Sequence, residues 1–592
     1  MKYSDLLADW LVDLGYTHCF FVAGGNIMHL LESCSHRVKC IPVVHEVAAG
    51  IAAEYFNEIS RDGKAFALVT AGPGVTNIVT AVAGAYLESR ELLVIGGQVK
   101  VADLARGQVR QRGIQEIDGV EILRPISTRS ILMDKVLDRA NLEQAIHASS
   151  ESRKGPVFLE IPLDIQGRDV SPEELSAAAA ISSPKREAIP KEVLDDTCSR
   201  LRNAKRPVLL IGGGVRRELT ATLLERFADL GIPLMTTWNG IDRIPADHEL
   251  YFGRPNTWGQ RSANILLQQA DLVVALGTRL GLQQTGFNWQ EFVPVGQLIQ
   301  VDCDPAELRK GHPRVDLPIN GDANEVLHYI AHSQLSSYNE WVQFCRSVRQ
   351  RIPLVEPVNP TEPGYISPYV FVEQLSKLSA VDDVVIPCSS GSAYTVMMQT
   401  FEQKRGQLMV TNKGLASMGY GLSGAIGAAL AAGGKRTILV EGDGGFLQNL
   451  QELGTVSANQ LNLKIFIFAD NGYASIRMTQ RNYFKGRYVG CDKQTGLGIP
   501  RWNHLFAAYD IPMIEIGPGF HEEPSFLREF NSSRAAAFLV RIDPNQTYFP
   551  KIASRITKEG GMASNPLHMM SPDLPEDVAA LVMPFLQNAK AD

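Results

Sequence analysis

The sequence predicts an α/β protein built from three domains, each a doubly wound parallel sheet. Short, fully apolar runs alternate with amphipathic segments from one end of the chain to the other. Parallel sheets with helices on both faces read this way. Two proline- and serine-rich stretches cut the 592 residues into pieces of ordinary domain size. Hydrophobic residues make up 45% and charged residues 20%, which excludes disordered, collagen-like and coiled-coil classes.

The strand-like runs come in order at 19–23, 65–70 and 92–96, then 207–213, 272–277 and 298–302, then 384–388, 437–443, 463–470 and 537–542. Each is followed by a helical pattern. Residues 171–192 are rich in Ser, Ala and Pro, and the second stretch carries Pro353, Pro357, Pro360, Pro363 and Pro368. Both compositions resist regular structure. The expected domains are therefore 1–172, 190–345 and 366–550. A tail, 551–592, carries Pro566, Pro572 and Pro575 and either wraps a neighbour or is loose.

Charge and cysteine usage narrow the function. Lys and Arg total 57 against 64 Asp and Glu, a net of −7. Phosphate backbones need a basic stripe, so nucleic acid is not the expected partner. No apolar run reaches the roughly 18 residues of a membrane span, and the first residues lack a signal-peptide core. The eight cysteines are scattered without a C-x-x-C pair, which suits a reducing, cytoplasmic setting.

The most informative segment is 437–473. An apolar strand ends at Gly442-Asp443-Gly444, with Gly445 next. A helical stretch follows, and a second strand ends at Asp470-Asn471. The twenty-five residues 445–469 between Gly444 and Asp470 suit one strand–helix–strand crossover. Two parallel strands would bring Asp443 and Asn471 to one carboxyl edge, where open α/β sheets bind ligands. A carboxylate, an amide oxygen and main-chain carbonyls make a hard-oxygen site suited to Mg²⁺ and phosphate. The glycines allow close approach of a diphosphate. Taken alone, Gly-Asp-Gly is also an ordinary turn.

This segment resembles the signature of the thiamin-diphosphate (ThDP) enzymes, Gly-Asp-Gly followed at similar distance by Asn-Asn. Asp470 departs from that pattern at its first Asn and adds a negative charge. The resemblance makes Asp443, Asn471 and the main-chain oxygen of Tyr473 the metal ligands. It also makes Glu46, at the head of an Ala-rich helix, the acid that hydrogen-bonds the cofactor's aminopyrimidine ring. Such an acid should be buried, and it promotes the tautomer that acts as internal base. Thr70-Ala71-Gly72-Pro73-Gly74-Val75-Thr76-Asn77 resembles the family's G-P-G-A-T-N turn, so Pro73 and Asn77 are expected at the cofactor. Ser390, Gly391 and Ser392 stand where the second diphosphate loop lies, and Ala416 and Met418 where a bulky residue supports the bent cofactor. Gly419, Gly421 and Gly424 spell G-x-G-x-x-G, but no strand directly precedes them, and close helix packing is the better reading.

In the middle domain, Gly213 and Gly214, Thr278 and Arg279, and Asp302 recur in the acetohydroxyacid synthase and glyoxylate carboligase branch. There this domain holds FAD, and Arg279 would meet phosphate and Asp302 a ribose or adenine side. ADP or no ligand is the alternative. Gln115 matches a glutamine beside the reacting carbon in the synthases, and Asn26 stands where they carry a small apolar residue. For Asn26, a helix N-cap is an equally good reading. The resemblance covers nearly all of 1–550. It implies decarboxylation of a 2-keto acid such as pyruvate and ligation of the two-carbon unit onto a carbonyl acceptor. The basic, aromatic run Arg481-Asn482-Tyr483-Phe484 suits a phosphorylated or nucleotide-linked acceptor. The whole is similar to carboligases of bacterial polysaccharide clusters, of the yersiniose type, which act on the keto group of a nucleotide-linked deoxysugar. An acetolactate synthase, a 2-keto acid decarboxylase or pyruvate oxidase, and an inactive ThDP-fold scaffold are the other readings. The family also implies a homodimer or homotetramer with the site completed between subunits.

Overall fold

The computed structural model describes the chain except residues 172–174, 176–187, 557–561 and 587–592. Most of the linker expected at 171–192 and parts of the tail lie outside the described residues. Three parallel sheets and a two-stranded ribbon fall into two compact units. Unit 1 is Met1–Lys185 with Asp383–Tyr394 and Val410–Arg541. Unit 2 is Arg186–Asp382 with Thr395–Met409 and Ile542–Asp592.

In unit 1 the first sheet contains β1 (Tyr16–Phe21), β2 (Lys39–Pro42), β3 (Lys64–Val69), β4 (Leu92–Gln98), β5 (Arg129–Leu132) and β6 (Pro156–Pro162). Its order is β2-β1-β3-β4-β6-β5, and every pairing is parallel. β3, β4 and β6 are buried along nearly their whole length, as continuous apolar runs require. The chain turns back between β1 and β3, so the loops after these strands border a crevice at the carboxyl edge.

Unit 2 holds β7 (Pro207–Ile211), β8 (Leu234–Thr236), β9 (Leu272–Leu276), β10 (Gln297–Asp302) and β11 (Leu317–Asn320) in the parallel order β11-β10-β9-β7-β8. Its crevice lies between β7 and β9. The short β13 (Leu408–Met409) also belongs to unit 2. The described part of the tail is built into this unit's core, since Ile552, Leu567, Met570 and Val582 are buried in it. Arg261 fastens it by donating to the carbonyls of Met570 at 2.9 Å and Pro572 at 2.8 Å. Along these residues the tail is thus not loose: it packs on the domain of β7–β11, its neighbour in the same unit. The helix Pro368–Leu378, expected to open the third domain, groups with unit 2 instead. Lys404 of the same unit donates to the carbonyl of Lys377 at 3.1 Å and to that of Ser379, which closes the helix end.

The third sheet gives unit 1 five more strands, β12 (Val384–Ile386), β14 (Thr437–Gly442), β15 (Leu463–Ala469), β16 (Met513–Ile516) and β17 (Ala536–Arg541), in the parallel order β12-β14-β15-β17-β16. This repeats the order β1-β3-β4-β6-β5 of the first sheet. Two helices join the halves of unit 1. We call them α1 (Glu46–Ile59) and α3 (Tyr420–Ala431), with α2 (Pro73–Glu88) between them in sequence. Small residues let α1 and α3 approach closely. A Cβ on Gly424 would lie 2.6 Å from the Tyr55 ring, and one on Gly427 2.0 Å from the Ala52 carbonyl. The Gly-x-Gly-x-x-Gly run therefore serves packing. Between the halves, Glu54 is fully buried, bound by Arg90 at 2.7 Å and the Tyr420 hydroxyl at 3.0 Å. Among the described residues no helix is long and apolar enough to cross a membrane.

Candidate active site

Four loops follow the strands of the first sheet at its carboxyl edge. Asn26 lies after β1 in a short 3₁₀ turn, Gly25–Ile27. It is not an N-cap, because Ile27 takes that position for the next helix, Met28–Ser35. Its carbonyl accepts from Gln166 at 2.7 Å. Glu46 opens α1 after β2 and is buried, and Asn77 Nδ2 donates to its Oε2 at 2.9 Å. Pro73 occupies the first turn of α2 after β3 and is exposed, while Asn77 is half-buried one turn on. Gln115, after β4, is exposed and adopts φ 62°. Its carbonyl lies where a Cβ on Gly72 would come within 2.4 Å, so this contact requires glycine. Glu46, Pro73, Asn77 and Gln115 thus share one edge, where a hydrogen bond joins Asn77 to Glu46 and Gln115 packs on Gly72, next to Pro73 in the chain.

The third sheet presents a second carboxyl edge. β14 and β15 pair in parallel with Gly442 opposite Phe468, which brings the turn at Asp443 beside that at Asn471. Asp443 is buried and accepts from Gly444 N–H at 2.7 Å and from Gly472 N–H at 3.1 Å. Asn471 is left-handed at φ 67°. A Cβ on Gly444 would meet the Tyr473 ring at 2.4 Å, so the last glycine of Gly-Asp-Gly makes room for Tyr473. Gly445 packs over the buried Glu441 side chain. After β12, Ser390 and Ser392 flank Gly391, which has φ 82°. The Ser389 hydroxyl donates to the Ser417 carbonyl and ties this loop to the turn of Ala416, exposed with φ 55°, and Met418, half-buried.

The electrostatics of this edge invite a cation. Burial pushes the Asp443 carboxyl up to about 7, against hydrogen bonds from Gly444 and Gly472. Burial and the nearby Asp443 also raise Asp470. Arg477 answers part of this charge: it donates to the Asp470 carbonyl at 2.5 Å and the Asn471 carbonyl at 3.3 Å, and pairs with the Asp470 carboxylate at 3.7 Å. Among the described residues no group of three or more His, Cys, Asp or Glu is placed to hold a metal. A cation here would rely on one carboxylate with amide and main-chain oxygens, a donor set that fits Mg²⁺ with phosphate and water.

Glu452 was not singled out by the sequence. It accepts from Val44 N–H at 3.1 Å and His45 N–H at 3.0 Å, directly before Glu46. It thereby anchors the start of α1 to the stretch following the Asp443 turn. Its signal in the sequence is weak, because an acid in a helical run looks solvated.

In unit 2, Gly213 and Gly214 follow β7, and Thr278 and Arg279 follow β9, at that sheet's crevice. Gly214 N–H donates to the Gly277 carbonyl at 3.0 Å, so backbone of one loop meets backbone of the other. Arg279 is exposed at the rim. Bare backbone beside a guanidinium fits a phosphate. Asp302 Oδ1 accepts from Asp304 N–H at 2.9 Å, so this acid also shapes its own turn.

Comparison with known proteins matches three family models. They are the N-terminal TPP binding domain of thiamine pyrophosphate enzymes at residues 1–122, the central domain at 194–330 and the C-terminal TPP binding domain at 389–539. The acetolactate synthase large subunit of Corynebacterium glutamicum is 30% identical over 494 residues, 81% of this chain and 76% of that protein. The acetolactate synthase isozyme 1 large subunit of Escherichia coli is 29% identical over 556 residues, 93% of this chain and 95% of that protein. A probable acetolactate synthase large subunit of Methanocaldococcus jannaschii is 30% identical over 459 residues, 75% of this chain and 76% of that protein. With two carboxyl-edge sites on matching sheets and this likeness along most of its length, the chain belongs to the thiamine pyrophosphate enzyme family.

Proposed function

We propose that the protein decarboxylates a 2-keto acid, pyruvate first among them, and ligates the remaining two-carbon unit to a carbonyl acceptor. The observation that carries this reading is the parallel pairing of β14 and β15, which sets Asp443 beside Asn471. Bound thiamin diphosphate supplies a reactive carbon that adds to the keto group and takes up the electrons released with CO₂. Asp443, Asn471 and the Tyr473 carbonyl would hold Mg²⁺ against its diphosphate. Ser390, Gly391, Ser392, Gly442, Gly444 and Gly445 would line the diphosphate, and Ala416 and Met418 would support the rings. Glu46, steadied by Asn77, would share a proton with the pyrimidine nitrogen. Gln115 and Asn26 would face the second carbonyl. In this reading 1–172 takes the pyrimidine, the third sheet within 366–550 the diphosphate, and 190–345 an FAD held by Gly213, Gly214, Thr278, Arg279 and Asp302. Two copies would complete each site, as a homodimer or homotetramer. All eight cysteines are thiols, which suits the cytoplasm.

Charge argues for an anionic acceptor. Residues 471–491 hold Arg477, Arg481, Lys485 and Arg487 without an acid, in a chain of net −7. Tyr483 and Phe484 are exposed there, 45% and 61%. Cations with exposed aromatic rings suit a phosphorylated acceptor, such as a nucleotide-linked keto sugar. The likeness to acetolactate synthases favours a second reading, with a 2-keto acid as acceptor. The purified protein should release CO₂ from pyruvate with ThDP and Mg²⁺. Mass analysis of products with keto-sugar nucleotides against pyruvate alone decides the acceptor. No CO₂ from any 2-keto acid would remove both readings.

A further inference from the structure

We infer that Glu116 is a positioning residue for carboligation: its carboxylate shapes the loop that carries Gln115. This rests on the function proposed above. Glu116 is 6% exposed and closes a run, 104–115, that holds Arg106, Arg110 and Arg112 but no other acid. Its Oε1 accepts from Ala105 N–H at the start of the loop. Its Oε2 accepts from Arg112 N–H at 2.8 Å and Gly113 N–H at 3.0 Å near the end. The main chain of Glu116 adds a bond from its N–H to the Gly113 carbonyl at 3.2 Å and one from Gln111 Nε2 to its own carbonyl at 3.2 Å. One side chain thus satisfies three main-chain donors that have no strand or helix to pair with. Burial works against the ionised form, but the amides of Ala105, Gly113 and Arg112 outweigh it and hold the carboxyl below its ordinary value.

What this loop presents is Gln115. A glutamine at φ 62° is uncommon and must be held by its surroundings. Its carbonyl rests against Gly72, the residue before α2. That helix carries Asn77, which holds Glu46. Glu116 therefore acts through Gln115, on the acceptor's side of the reaction.

The test measures CO₂ release and ligated product separately, with pyruvate and added acceptor. It compares wild type, Glu116→Gln, Gln115→Ala and the double variant. Glutamine keeps the shape but turns an NH₂ toward at least one of the three amides. CO₂ release should stay within about twofold, while the ligated fraction falls roughly fivefold or more with a raised KM for acceptor. In the Gln115→Ala background the change should add nothing further, because residues acting as a unit are not additive. Equal loss of both reactions in a variant that melts like wild type overturns the inference, as does a loss that adds in full to that of Gln115→Ala. If Glu116→Gln does not fold, Glu116→Asp replaces it under the same two readings. A Gln115→Ala enzyme with unchanged partition overturns it as well. A wild type that releases no CO₂ from any 2-keto acid instead removes the proposed function.

Discussion

Glu46 and Asp443 are both buried acids, yet their surroundings differ. Glu46 has one side-chain partner, the Asn77 amide, whereas Asp443 is ringed by main-chain N–H groups. An acid with a single amide partner keeps an oxygen for a ligand, which is what proton sharing with a pyrimidine requires. Glu46→Gln should fold and bind ThDP normally but lose roughly a hundredfold or more in kcat. Steady-state turnover beside a ThDP binding titration checks it, and turnover near wild type would remove the proton role. Asp443→Ala should abolish Mg²⁺-dependent retention of ThDP through gel filtration, because no other carboxylate of the set replaces it. Retention unchanged by the substitution would move the cation elsewhere. These residues were legible because each sits at a strand end in a short motif. Glu116 was not, since nothing local announces that its partners are the amides of Ala105, Arg112 and Gly113.

At the scale of elements, the approach of α1 and α3 depends on missing side chains. Gly427 faces backbone, the Ala52 carbonyl, which cannot swing away. Gly427→Ala should therefore destabilise by about 1–3 kcal/mol through overpacking, read as a lowered midpoint in urea. An unchanged midpoint would mean that the helices can separate at little cost. Gly72 is a second such position, with φ 66° and the Gln115 carbonyl in the space a Cβ would take. Gly72→Ala should shift the Gln115 loop and lower ligation more than CO₂ release, measured as product partition. Most of the longer strands were readable from their apolar runs, and so were the strand ends behind which Glu46, Asp443 and Asn471 stand. The seven-residue β6 was not picked out despite its apolar run, and the shorter strands β5, β8, β11, β13 and β16 were missed because segments of two to four residues leave no clear period.

Across the whole molecule, buried acids set the response to pH. Burial pushes Glu54 up to about 7, with Arg90 opposing, and pushes Glu160 up to about 8, with Gln98 opposing. Both start from 4.5 in the unfolded chain. Between those values the native state holds protons that the unfolded chain has released, so stability falls as pH rises. The cofactor-free protein should melt at a lower temperature at a pH of about 8 than at about 6, by calorimetry in buffers of matched ionic strength. A rise over that range would contradict the buried, neutral state of these acids. Flavin in unit 2 is tested on the protein as purified, before any cofactor is removed: visible absorbance, or its gain with added FAD, is expected from the glycine loops and Arg279.

The sequence by itself determined three α/β domains and the strand ends behind which Glu46, Asp443 and Asn471 stand. All of these follow from local periodicity and from glycine turns at strand ends, which contacts between near neighbours dictate. Only the tertiary structure decided that Glu452 anchors the start of the Glu46 helix, that the tail belongs to the core of unit 2, and that Arg477 answers the extra charge of Asp470. Glu452 and Val44 stand 408 residues apart. Which buried donor meets which acceptor across such a distance is chosen by packing of the whole chain, and no local pattern encodes that choice.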